Sequence, residues 1–210
     1  MEKKKEETTL KEQIEALAVQ VEKLTEQVKL LSEITGKKKR AAKGERTDKQ
    51  KAQQEKFKTV SKLAAAMKTA YMIGMRLKAK RKGENPRDVF KRINLQKFYG
   101  STVDYKRLQL SYGTGNMVEL KAAKTTEEGK VRVEYGIKGE KSTEENMVFI
   151  FVFCKDLMKG KLARTYKGKV ECECDVPEEW KGKEMYVYAF SYSNERNVYS
   201  NTSCINVEKN

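Results

Sequence analysis

No histidine occurs anywhere in this chain of 210 residues. That absence removes the commonest general base and the commonest neutral metal ligand together, and with them every catalytic triad built on imidazole. No glycine-rich loop ending in Gly-Lys-Ser or Gly-Lys-Thr is present either, which excludes a P-loop nucleotide site. The most apolar stretches, LAAAMKTAYMIGMRL and MVFIFVFC, are shorter than the roughly 20 residues a membrane-crossing helix needs, and the first carries Lys68 and Arg76. The amino end, MEKKKEETT, does not lead into the apolar core of a secretory signal. Residence inside a cell, away from membranes, is the expectation. Asn201-Thr202-Ser203 has the glycosylation pattern, which has no meaning without secretion.

Cysteine is scarce as well, with four residues, and in a reducing compartment they are expected as free thiols. Cys172 and Cys174 alternate with Glu171, Glu173 and Asp175 and share a face with Val170 and Val176, so they read as core residues of a strand. Structural zinc instead takes paired thiols from turns, and neither a metal nor a cofactor is expected. The carboxylates gather in turns such as 125–129 and 141–146, where solvated loop charge explains them. Together these features argue against an enzyme.

What the chain does have is a heptad seam and a surplus of positive charge. Leu10, Ile14, Leu17, Val21, Leu24, Val28 and Leu31 follow one another in steps of four and three without a miss. β-Branched residues at a and leucine at d favour a parallel two-stranded coil, with a trimer as the alternative. An isolated helix of this length is marginal in water, so the seam predicts a second copy of the chain. The formal net charge is +15, and residues 37–82 hold nearly all of it, with 17 basic against 3 acidic side chains. Lys37, Lys38, Lys39, Arg40, Lys43, Arg46, Lys78, Lys80, Arg81 and Lys82 form a candidate nucleic-acid contact that would track phosphates and lose affinity steeply with salt. The same stretch also reads as a solvated tether. A leucine-zipper reader carries its basic region ahead of the zipper, whereas here it follows, which argues against sequence-specific readout.

Taken in order, residues 1–35 read as a coiled-coil oligomerisation helix, 36–47 as a basic flexible linker, 48–99 as a helical neck and 100–210 as an antiparallel immunoglobulin-like β-sandwich, an α+β chain overall. Within the neck, Ala64, Ala65, Ala66, Ala70 and Gly74 are small enough for another element to approach closely. Gly83 suits a left-handed helix cap, and Asn85-Pro86 suits the start of a short helix over about 86–97. Period-two alternation predicts strands over 106–112, 117–122, 130–137, 169–176, 185–192 and 198–207. The wholly apolar 147–154 is placed centrally, with both faces covered. Tyr186, Tyr188, Phe190 and Tyr192 form one aromatic row, read as core, and Trp180 is expected to pack over one end of the sandwich.

The order of QKAQQEKF, the Ile73-Gly74 step, DYKRLQLSYG, VPEEWKGKEMYVYAFSY and a closing Ser200-Asn201 resembles a family of about 200-residue β-sandwich proteins, of unassigned activity, from Bacteroidetes and their phages. The resemblance spans about residues 46–207 and carries over no functional residue. The heptad segment departs from it, since the family's members usually begin with a glycine-rich piece. A phage association, with the seam, implies a non-enzymatic oligomeric attachment protein such as a virion appendage or decoration protein, with a protein partner in a larger assembly. The alternative expectation is a cytoplasmic, sequence-independent nucleic-acid-binding protein that uses residues 37–82.

Overall fold

The computed structural model of the chain describes residues 15–30, 47–99, 102–138, 146–166 and 170–208. They belong to two units, 1–47 and 48–210. In the first, residues 15–30 are one helix, α1. Leu17, Val21, Leu24 and Val28 lie on it, each at least 59% exposed. Leu10, Ile14 and Leu31 of the seam fall outside the described residues.

The second unit opens with three helices that continue one another, α2 (Asp48–Ala66), α3 (Lys68–Gly74) and α4 (Arg76–Lys82). Four-residue backbone bonds cross both joints, with the Met67 N–H donating to the Leu63 carbonyl and the Met75 N–H to Tyr71, each at 2.9 Å. The run ends at Gly83 in the left-handed region, and the Glu84 N–H returns to the Ala79 carbonyl at 3.0 Å, so carbonyls left open by the helix end are satisfied. The Asn85 side chain then accepts the Arg87 N–H at 2.9 Å and caps α5 (Pro86–Asn94), whose first residue is the proline. Both ends match the sequence expectation. The small hairpin of β1 (Phe98–Tyr99) and β2 (Thr102–Val103) follows.

The remaining strands form two antiparallel sheets. One holds three strands in the order β3 (Val118–Thr125), β4 (Lys130–Ile137), β7 (Glu171–Asp175). The other runs β10 (Ser203–Asn206), β8 (Met185–Ser193), β5 (Asn146–Cys154), β6 (Lys159–Tyr166), with the short β9 (Val198–Tyr199) also paired to β8. Because side chains alternate across a strand, β5 and β8 present two different faces. Val148, Ile150, Val152, Val187 and Ala189 share a buried core with Val118, Val131, Val133 and Tyr135 of the three-stranded sheet. Phe149, Phe151, Phe153, Tyr188 and Phe190 share a second core with Val60, Leu63, Met67, Tyr71, Val89 and Phe90 of the helices. Burial of each such side chain contributes about 1.5–3 kcal/mol, which makes this doubly covered strand pair the centre of the unit. The apolar 147–154 run is central, as its composition predicts.

Several readings change. Residues 48–99 do not stand apart as a neck, because their apolar face is spent on the sheet. The strand expected over 106–112 is a 3-10 turn at Tyr105–Arg107 followed by an irregular extended segment. Strand β6 was not expected at all: three of its residues are lysine or arginine, and it lies at the sheet edge, where charge discourages further pairing. The single strand expected over 198–207 is two, β9 and β10. Trp180 is buried in the core between the sheets, and Cys154 and Cys174 are buried there with it.

Candidate nucleic-acid interface

The irregular segment after the 3-10 turn does not join a sheet ladder, and the amides of Gln109, Leu110 and Ser111 bond to side chains instead. Asn94, fully buried at the end of α5, donates from Nδ2 to the Gln109 carbonyl and accepts the Gln109 N–H at Oδ1, at 2.9 and 2.8 Å. The Thr202 hydroxyl accepts two further amides, Leu110 N–H at 2.9 Å and Ser111 N–H at 2.8 Å. Ser111 Oγ in turn donates to the Ser200 carbonyl at 2.7 Å. Leu108 and Leu110 are both buried, in the core that the helices share with β5 and β8, but the expected alternation breaks after them, since Ser111 is buried and Tyr112 is half exposed.

Two glycines let this segment reach its place. A Cβ on Gly74 would stand 2.5 Å from the Leu110 carbonyl oxygen and 2.6 Å from Ser111 Cβ, so the segment crosses the helical run where there is no side chain. The small-residue helix face predicted from sequence does receive a closely approaching element. A Cβ on Gly113 would fall on the Tyr199 carbonyl oxygen, which ties the next turn to β9. Three sequence motifs far apart in the chain, Ile73-Gly74, LQLSYG and Ser200-Asn201, thereby form one structure.

Along this junction lie two hollows. The smaller, about 240 Å³, is walled by Leu77, Lys78, Arg81 and Lys82 of α4, by residues 112–114 and by Val198 and Tyr199. The larger, about 560 Å³, is bounded by Lys78, Arg92, Ile93, Gln96, Lys97, Gln109, Tyr112, Met117, Asn201 and Thr202. They share Lys78 and Tyr112, whose contact is a cation over a ring, with Nζ 2.9 Å from the ring centroid. Five basic side chains therefore line the pair of hollows, and no carboxylate does. Arg92 is held by Glu84 at 2.6 Å, while among the described residues Arg81, Lys82 and Lys97 form no ion pair. Burial pushes the Tyr199 phenol above its ordinary value, and the positive field of Arg76 and Arg164 pulls it back in part. Lys80, Arg81 and Lys82 lie in the last turn of α4, where positive charge offsets the negative end of the helix dipole.

Of the predicted contact residues, Lys78, Arg81 and Lys82 line the cleft, and Lys80 is exposed on the same helix without lining it. Lys37, Lys38, Lys39, Arg40, Lys43 and Arg46 lie outside the described residues. Arg92, Lys97 and Tyr112 were missed. The first two sit in a stretch of nearly balanced charge, and Tyr112 was assigned to a strand face. Among the described residues no group of three metal-ligating side chains comes together, and no helix is long and apolar enough to cross a membrane.

Compared with known proteins, the chain matches no family model, and no curated sequence is significantly similar to it.

Proposed function

We propose that this is a self-associating, non-enzymatic protein that binds nucleic acid without regard to sequence, through the basic cleft between α4, α5 and the 109–114 segment. The observation that carries the reading is a concave surface with five cations, no lining carboxylate and an exposed tyrosine at its middle. Phosphates on Lys78, Arg81, Lys82 and Lys97 would release counterions, the driving force of non-specific binding. The basic stretch 37–46 adds charge next to the same unit in sequence. The seam of α1 supports a parallel coiled coil, and joining two clefts makes the second contact intramolecular, which raises avidity without new contacts.

The test is a titration of labelled DNA at low and at physiological salt, with the wild type and the double charge reversal R81E/K82E. Salt-sensitive binding that the reversal weakens is the expected result; no binding at low salt refutes it. Light scattering addresses assembly, with L24E expected to convert the oligomer to monomer.

A second reading, the oligomeric attachment or virion decoration protein, is favoured by the exposed leucine and valine row of α1 and by the phage-associated resemblance. It predicts the same oligomer but no salt-dependent DNA binding. The β module would then be an outward-facing immunoglobulin-like sandwich.

A further inference from the structure

We infer that the cleft selects unpaired nucleic acid, with one base stacked on the ring of Tyr112; this rests on the nucleic-acid reading above. Tyr112 lines both hollows and so sits where they meet. It is 48% exposed although its two preceding neighbours, Leu110 and Ser111, are fully buried. One face of the ring is occupied by the Lys78 ammonium, and among the described residues no other ring packs on it.

The ring is also held in place before any ligand arrives. The Tyr112 N–H donates to the Gly74 carbonyl and the following Gly113 N–H to Asn201 Oδ1, each at 3.3 Å. An aromatic side chain on a fixed backbone offers a stacking surface at little ordering cost. Cations flank it on both sides, with Arg81 and Lys82 in the smaller hollow and Arg92 and Lys97 in the larger. A strand that enters over one pair of cations and leaves over the other passes a base across the ring.

Stacking of this kind tolerates any sequence, because every base has a π face. It discriminates strand state, because a duplex keeps each base between its own neighbours and has none to offer without the cost of flipping one out. Charge alone would not discriminate in this direction. A duplex carries the denser line of phosphates, so a cleft working only through its cations would bind duplex at least as well.

The experiment is fluorescence anisotropy with the full chain, using a short labelled oligothymidylate, the corresponding duplex, and heparin as a polyanion with no bases. The wild type is expected to prefer the single strand. Y112A is expected to lose about 5- to 150-fold in affinity for oligothymidylate, the worth of one stacked base, with heparin affinity unchanged. Y112F keeps the ring and is expected to bind like the wild type. A thermal melt of each variant shows whether it folds. Equal loss of oligothymidylate and heparin by Y112A would reduce Tyr112 to a support for Lys78 and overturn the inference. Unchanged binding by Y112A, or a wild-type preference for duplex, overturns it while leaving the broader nucleic-acid reading intact. No binding to either DNA overturns both.

Discussion

Replacing Thr202 with valine removes one oxygen from a nearly isosteric side chain, and it tests how the cleft is built. The Thr202 hydroxyl accepts the amides of Leu110 and Ser111 at 2.9 and 2.8 Å, and it is 8% exposed in a region where Leu110 and Ser111 are buried completely. In the valine variant both amides lose their acceptor. A buried donor left without a partner costs about 1–3 kcal/mol, so the two together should cost about 2–6 kcal/mol. In a unit of this size that lowers the melting temperature by roughly 4–24 °C. Chemical denaturation of the wild type, T202V and T202S would measure it, with T202S expected near the wild type because serine keeps the oxygen. The same variant should weaken nucleic-acid binding, since the loosened segment carries Tyr112. A T202V protein as stable as the wild type would show that these hydrogen bonds do not hold the segment, and the account of a preorganised cleft would fail with it.

Three further outcomes follow from the packing. Gly74→Ala places a Cβ 2.5–2.8 Å from Leu110 and Ser111 atoms that are mostly backbone. Overpacking of about 1–3 kcal/mol should therefore outweigh the helix-propensity gain of up to about 1 kcal/mol, and differential scanning calorimetry should show a lower melting temperature. Phe151→Ala, at a residue of zero exposure in the centre of the shared core, should cost about 3–5 kcal/mol in urea denaturation. Alkali should also destabilise the fold. Burial raises the phenol pKa of Tyr71, Tyr105, Tyr135, Tyr188 and Tyr199 above 10.0, and it pushes the Cys204 thiol up to about 12. For these acids the folded chain holds its protons more tightly than the unfolded one. Their contribution is complete below the unfolded values and is lost as pH rises through the folded ones. Denaturation midpoints measured from about pH 8 to 11 should fall at the alkaline end, together with the rise in phenolate absorbance.

How much of this was legible in the residues depended on whether the signal was local. The cap at Gly83 and the start at Asn85-Pro86 could be read because a left-handed residue and a proline at a helix start are constraints of the chain itself. Strand β4 matched its alternation from Lys130 to Ile137 for the same reason. Residues 106–112 carry equally good alternation and are not a strand. Alternating residue types do not by themselves supply a ladder partner, and here the backbone amides of Gln109, Leu110 and Ser111 bond to Asn94 and Thr202, residues distant in sequence. The reverse error hid β6. Its lysines and arginine suppress the apolar signal, while its pairing with β5 over eight residue pairs is a tertiary fact.

The candidate cleft divides along the same line. A dense local run of charge made Lys78, Arg81 and Lys82 visible. Lys97, Arg92 and Tyr112 became visible only once α5 and the 109–114 segment were seen to converge on α4. That convergence follows from the doubly covered sheet. Both faces of β5 and β8 are committed to cores, so neither face of that strand pair is free for a ligand. Tyr186, Tyr188 and Phe190, an obvious aromatic row in the sequence, are therefore spent on packing against the helices. Tyr112 instead stays half exposed on the rim of the cleft, in an irregular segment between two sets of cations.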